Sequence, residues 1–102
     1  MKFDYTGIEM PGVELIATER QRQMTKEGWT HGHDDAEHYN SELLQASKAY
    51  IISAEHGRVP VADDTWPWDD GFKPTTPIRD LVKSGALIAA EIDRRLRSGE
   101  KP

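Results

Sequence analysis

The densest set of side chains able to do chemistry lies in the tract Gly28-Trp29-Thr30-His31-Gly32-His33-Asp34-Asp35, which runs on to Glu37 and His38. Imidazoles and carboxylates together bind transition metals or Mg2+ and move protons near neutral pH. His33, Asp34 and His38, with Glu42 a turn further on, are the metal set this spacing offers. The same residues have a plainer use, in which Asp34 and Asp35 cap a helix, Glu37 sits near its positive end and the histidines face solvent. The H-E-x-x-H zinc motif is absent.

A second constellation is Glu19, Arg22, Gln23 and Lys26, which share one helical face, while Arg79 and Lys83 form a basic i, i+4 pair much later in the chain. If those two helices pack side by side, Arg22, Arg79 and Lys83 surround one anion, and the planar arginine fork suits phosphate. The third constellation is aromatic. Trp66 and Trp68 point the same way in an extended segment, and Trp29 belongs to the first tract. Indoles beside arginines and carboxylates supply a stacking surface, phosphate donors and acceptors for a sugar or base. In that arrangement Gln23, Thr30, His33 and Asp35 bond polar edges; burial of the tryptophans as core is the alternative. The chain has no G-x-x-x-x-G-K-[ST] loop, no G-x-G-x-x-G fingerprint and no G-x-S-x-G elbow.

The elements that must position these groups read as helical. Residues 1–10 form an arm with apolar Phe3, Tyr5, Ile8 and Met10. A first helix starts at Pro11-Gly12, carries Val13, Ile16, Ala17, Arg20 and Met24 as its inward stripe, and stops at Gly28. A second is expected from Asp34 or Asp35, with Tyr39, Leu43, Ala46 and Tyr50 on one face, fading near Glu55-His56-Gly57. Residues 57–77 break the pattern with prolines, yet Trp66, Trp68 and Phe72 predict an ordered loop folded back over the helices. Thr76-Pro77 opens a third helix, whose apolar face runs through Ile78, Leu81, Val82, Ile88, Ala89, Ile92 and Leu96. The fold class is mostly α: one compact three-helix domain over residues 1–102, with a long Trp/Pro-rich loop before the third helix.

Composition narrows the function. The 102 residues fit one domain, with 36% hydrophobic and 30% charged residues. There are no cysteines, which removes disulfides, thiolate metal sites and cysteine nucleophiles and suits a reducing cytoplasm. A net charge of -5, from 13 Lys+Arg against 18 Asp+Glu, is not the basic footprint of a non-specific nucleic-acid binder. No apolar run reaches the roughly 18 residues needed to span a bilayer, and Met1-Lys2-Phe3-Asp4-Tyr5 lacks the apolar stretch of a secretory signal. A cytoplasmic protein is the expectation.

The segments Glu19-Arg20-Gln21-Arg22-Gln23, Glu27-Gly28-Trp29-Thr30, His33-Asp34-Asp35, Glu42-Leu43, Trp66-Pro67-Trp68, Lys73-Pro74 and Arg79 to Ile88 with Ala90-Glu91-Ile92 resemble a family of short phage and prophage proteins. Gly28-Trp29-Thr30-His31-Gly32 also resembles the G-W-x-x-G core of the ryanodine-receptor repeat domain, with Met24 at that pattern's lysine position and Tyr39 following His38 where it has proline. The resemblance implies nucleotide-type ligand binding without catalysis. For a phage protein it implies capture of a host immune signal, such as an ADP-ribose derivative or a cyclic nucleotide. A competing resemblance is to the all-helical MazG-type nucleotide pyrophosphohydrolases, whose E-x-x-E and E-x-x-D motifs hold Mg2+. Here Glu37 and Glu42, and Glu91 and Asp93, have other spacings, leaving Glu19, Asp34, Asp35 and Glu42 as a divergent acidic set.

The expectation is a binding protein for a small nucleotide-like anion, with no cofactor, the ligand met by Glu19, Arg22, Gln23, Trp29, Thr30, His33, Asp35, Trp66, Trp68, Arg79 and Lys83. The small core and the apolar arm favour a homo-oligomer. The alternatives are an Mg2+-dependent hydrolase and a protein-interaction module.

Overall fold

The computed structural model describes residues 7–38 and 41–102. Among them all regular structure is helical: α1 Pro11–Lys26, α2 His31–Glu37, α3 Glu42–His56, α4 Pro60–Thr65 and α5 Pro77–Arg97. The expected Phe3 and Tyr5 of the arm, and Tyr39 of the second helix, lie outside the described residues.

The frame is α3 packed against α5, with α1 on another side of α5, α4 on α3, and α2 near the end of α5. Ser47 meets Ser84 (Oγ to Oγ 2.7 Å), and Ser53 donates to Asp80 Oδ2 at 3.0 Å, so α3 and α5 run antiparallel. Small residues make close approach possible: Ala46, Ala49, Ala86 and Ala90 are fully buried beside Leu43 and Leu87. At Gly85 a Cβ would stand 2.6 Å from Ile16 Cδ1, so α1 crosses α5 where the side chain is smallest.

Three expectations need correction. The second helix does not begin at Asp34 or Asp35. Thr30 caps a short helix at His31, accepting from His33 N at 3.4 Å, and α3 starts afresh after Ser41, whose φ is 68°. Asp34 is drawn inward by a tertiary ion pair instead of capping. The 57–77 segment carries α4, opened by Pro60 at its first turn. Most of the apolar stripe read on α5 faces outward: Ile78, Leu81, Ile88, Ile92 and Leu96 are exposed, while Val82, Ala86, Leu87 and Ala90 make the core.

Three local expectations hold. Gly28, at φ 74°, turns the chain after α1 so that Trp29 N reaches Gln23 O at 3.0 Å. Thr76 caps α5 by accepting from Arg79 N, with Pro77 in its first turn. The loop after α4 lies on the core through Trp66, Trp68 and Phe72.

Candidate functional site

The loop builds an aromatic wall. Trp66 Nε1 donates to Asp70 O at 2.8 Å, closing a turn that Gly71 completes at φ 90°. Trp66 stacks on Phe72 with ring centroids 5.1 Å apart and meets Trp68 edge-on at 5.0 Å. Trp68 continues to Trp29 at 5.3 Å and to His38 at 5.0 Å. Tyr50 of α3 joins from below, 5.5 Å from Trp66, and its hydroxyl accepts from Lys73 N at 3.2 Å. Burial pushes the Tyr50 phenol up, so it stays neutral at physiological pH.

Opposite the wall stands Glu19 of α1, only 2% exposed. Arg22 Nε and Nη2 reach its two carboxylate oxygens at 2.9 Å each, and Arg79 of α5 donates to the same carboxylate. Burial alone would raise the Glu19 carboxyl, but the two arginines outweigh it and hold the group below its usual range. The buried Gln23 follows one turn on, its Nε2 3.5 Å from Glu19 Oε2. Lys83 differs from the arginines. Its Nζ donates to Lys73 O at 2.7 Å and lies 5.3 Å from the Tyr50 ring, so these partners are a carbonyl and a π face rather than a carboxylate. Burial and then the neighbouring Arg79 charge pull the Lys83 ammonium below the ordinary lysine range.

A buried ion-pair network holds the Trp29 side together. Arg20 Nη2 donates to Asp34 Oδ2 at 2.8 Å and Nη1 to Trp29 O at 3.1 Å, while His38 Nδ1 lies 3.1 Å from Asp34 Oδ1. With an ionised acceptor, His38 Nδ1 carries the proton and donates. His33, Asp34 and His38 present ligand atoms within 4.8 Å of one another, as the metal reading expects, but Glu42 is not in that group. Both oxygens of Asp34 are engaged, one by a guanidinium, so a divalent cation there would meet Arg20 as well.

Between wall and carboxylate lies a cavity of about 510 Å3, within the range of small-molecule sites. Of the residues expected from sequence, Glu19, Arg22, Gln23, Trp29, His33, Trp66, Trp68 and Lys83 line it. Three do not. Thr30 is the α2 cap, Asp35 lies at the surface bonded to Arg97 at 2.8 Å, and Arg79 reaches the site only through Glu19. Lining residues outside the expected set are Glu27, Glu37, Tyr50, Asp70, Gly71, Lys73 and Leu87, with His38 present but assigned to the metal alternative. Tyr50 reads from sequence as one more core position, and nothing local distinguishes Lys73 or Asp70 from ordinary loop charges. No protein-family model, curated protein or solved structure matches the chain, so the functional reading rests on these residues.

Proposed function

We propose that this protein binds a small nucleotide-like anion in the cavity between α1, α5 and the aromatic loop, and releases it unchanged. The observation that carries the proposal is the pairing of an aromatic wall with Lys83, a part-buried ammonium bonded to a carbonyl and lying over a π face, with Arg79 and Arg22 and the already-paired carboxylates of Glu19 and Asp80 around it. An anion beside it gains a charge-assisted bond and relieves the repulsion from Arg79. The indoles of Trp29, Trp66 and Trp68 offer stacking to a base. Arg22 and Arg79 take a supporting part, because their first partner is Glu19.

The Mg2+-dependent alternative has less support. Glu19, Asp34 and Asp35, three of the four acidic residues it would use, are each held by an arginine. A cation site built from them would first have to displace those guanidinium groups. The proposed setting is the cytoplasm, a host cell's if the chain is phage-encoded, with sequestration of a nucleotide signal as its use. Among the described residues no helix is long and apolar enough to cross a membrane.

Self-association is part of the proposal. Ile78, Leu81, Ile88, Ile92 and Leu96 of α5 are 39–70% exposed, on either side of the point where Ile16 of α1 crosses at Gly85. Together they expose on the order of 500 Å2 of apolar surface, the size of the largest patch on a typical monomer and often a functional one. A second copy, pairing α5 with α5, covers it.

The test is to incubate the protein with Mg2+ and a panel of nucleotides, cyclic nucleotides and ADP-ribose derivatives, then to quantify free small molecules by chromatography before and after heat denaturation. Depletion equal to the protein present, with intact ligand returned on heating, is the expected result. Conversion beyond protein equivalents would replace binding by catalysis, and no change across the panel would remove the nucleotide reading.

A further inference from the structure

Two imidazoles converge on one carboxylate oxygen at α2. His33 Nδ1 lies 3.6 Å from Asp34 Oδ1 and His38 Nδ1 lies 3.1 Å from the same oxygen. The ligand atoms of the three residues all stand within 4.8 Å of one another. His38 is the C-cap of α2, at φ −118°, where the chain leaves the helix and the ring turns back to Asp34. Its backbone N–H is tied to Asp34 O at 3.0 Å, and Trp29 and Trp68 pack on its ring with centroids 5.3 and 5.0 Å away. Arg20 secures the other oxygen of Asp34, Oδ2, at 2.8 Å. Two of the three groups are therefore buried and held in place by neighbours outside the cluster.

One atom of the cluster bonds nothing. His33 Nδ1 is buried and has no hydrogen-bond partner, because 3.6 Å is too long for one. That spacing does not suit a shared proton, but it suits a shared ion. Around a tetrahedral centre with arms of ~2.0–2.1 Å, ligand atoms stand ~3.3 Å apart, and the separations of 3.1 and 3.6 Å fall on either side of that. We infer that His33, Asp34 and His38 form a three-ligand site for a divalent transition metal of the zinc type, its fourth position left to water or a small ligand. Two imidazoles and one carboxylate are a set that Zn2+ takes, whereas Mg2+ prefers oxygen donors.

Unlike a site built from Glu19, Asp34 and Asp35, this one displaces no guanidinium. The ligand oxygen is Asp34 Oδ1, and Arg20 stays on Oδ2, where it orients the carboxylate while its charge lowers the affinity. His38 exchanges its hydrogen bond for coordination: the ring proton passes from Nδ1 to Nε2, and Nδ1 meets the metal. His33 has the exposed side chain of the three, at 36%, and its turning outward admits the ion. The site is independent of nucleotide binding, and the failure of either reading leaves the other standing.

The experiment is calorimetric titration of chelator-stripped protein with Zn2+, repeated with Co2+ under visible absorption spectroscopy. One Zn2+ per chain is expected, with excess Mg2+ failing to compete and Co2+ giving the bands of a tetrahedral site. His33→Ala, which removes one ligand whose Nδ1 bonds nothing, should weaken Zn2+ binding by at least about 100-fold. His31→Gln and His56→Gln, at exposed histidines outside the cluster, should leave it unchanged. Absence of Zn2+ binding, or binding that survives His33→Ala, would overturn the inference. If His33→Ala does not fold, as judged by circular dichroism, NMR of the wild-type histidine rings decides. Zn2+ must then move the His33 and His38 signals together, and a titration that moves neither or only one overturns the site.

Discussion

Replacing Asp34 by alanine tests the network that holds Trp29 and His38 in the cavity wall. Asp34 is fully buried, and its two oxygens accept from Arg20 and His38. Arg20 is itself buried and its Nε already lacks a partner, so alanine leaves the guanidinium with only the Trp29 carbonyl. Breaking a buried pair from one side costs about 3–5 kcal/mol, a large part of the roughly 5–15 kcal/mol that holds a domain together. For a chain of this size that is a fall of roughly 12–40 °C in Tm. Urea unfolding followed by tryptophan fluorescence and by circular dichroism measures it. Arg20→Met combined with Asp34→Leu removes both charges and should recover most of the loss.

The pH dependence follows from the same contact. Burial would raise the Asp34 carboxyl, but His38 and Arg20 reverse that and hold it below its ordinary 3.8. The folded state therefore releases this proton more readily than the unfolded chain does. The contribution is fully present above the unfolded pKa and is lost as pH falls from about 4 through the lower folded value. Wild type should weaken in that window and Asp34→Ala much less. A cost under about 1 kcal/mol for Asp34→Ala, or an unchanged acid profile, would refute the reasoning.

Lys83→Met should weaken nucleotide binding by roughly 10- to 100-fold while the fold survives, as titration and circular dichroism together would report. Gly85→Ala, which helix propensity alone would favour by ~1 kcal/mol, should instead destabilise by about 1 kcal/mol, because its Cβ would press on Ile16. Ile16→Val removes the nearest atom but leaves Cγ1 2.9 Å away, so it should recover only part of the loss in urea titrations of the double variant. Ile88→Glu with Ile92→Lys should shift a dimer to monomer in sedimentation equilibrium. A wild-type monomer at high micromolar concentration would discard the α5 interface.

The sequence made the ends of α1 and α5 legible because their signals are local. Pro11 and Pro77 occupy first helical turns, and Thr76 and Gly28 act within a few residues of themselves. Long-range choices were not legible. Asp34 follows a helix-capping pattern, but Arg20, 14 residues earlier, draws it inward and leaves the cap to Thr30. The α5 stripe has the spacing of a core face, yet the core uses Ala86, Leu87 and Ala90, where small side chains on both helices let α3 come close and Leu87 fills the space between. In the cavity, residue types announced Trp66, Trp68, Arg22 and Lys83, whereas Tyr50 and Lys73 arrive through tertiary packing. The clamping of Glu19 by Arg79 also joins residues 60 positions apart and has no local signature.

The most direct test of the cavity as ligand site is proton–nitrogen NMR of the three tryptophan indoles, assigned by single Trp→Phe variants, during titration with AMP, CMP, GMP and UMP. The account predicts that at least one nucleotide shifts the Trp29 and Trp68 signals saturably at one equivalent, and that Lys83→Met moves the midpoint to higher concentration. Saturable binding that leaves every indole in place would put the ligand elsewhere, and four flat titrations would contradict the nucleotide reading itself.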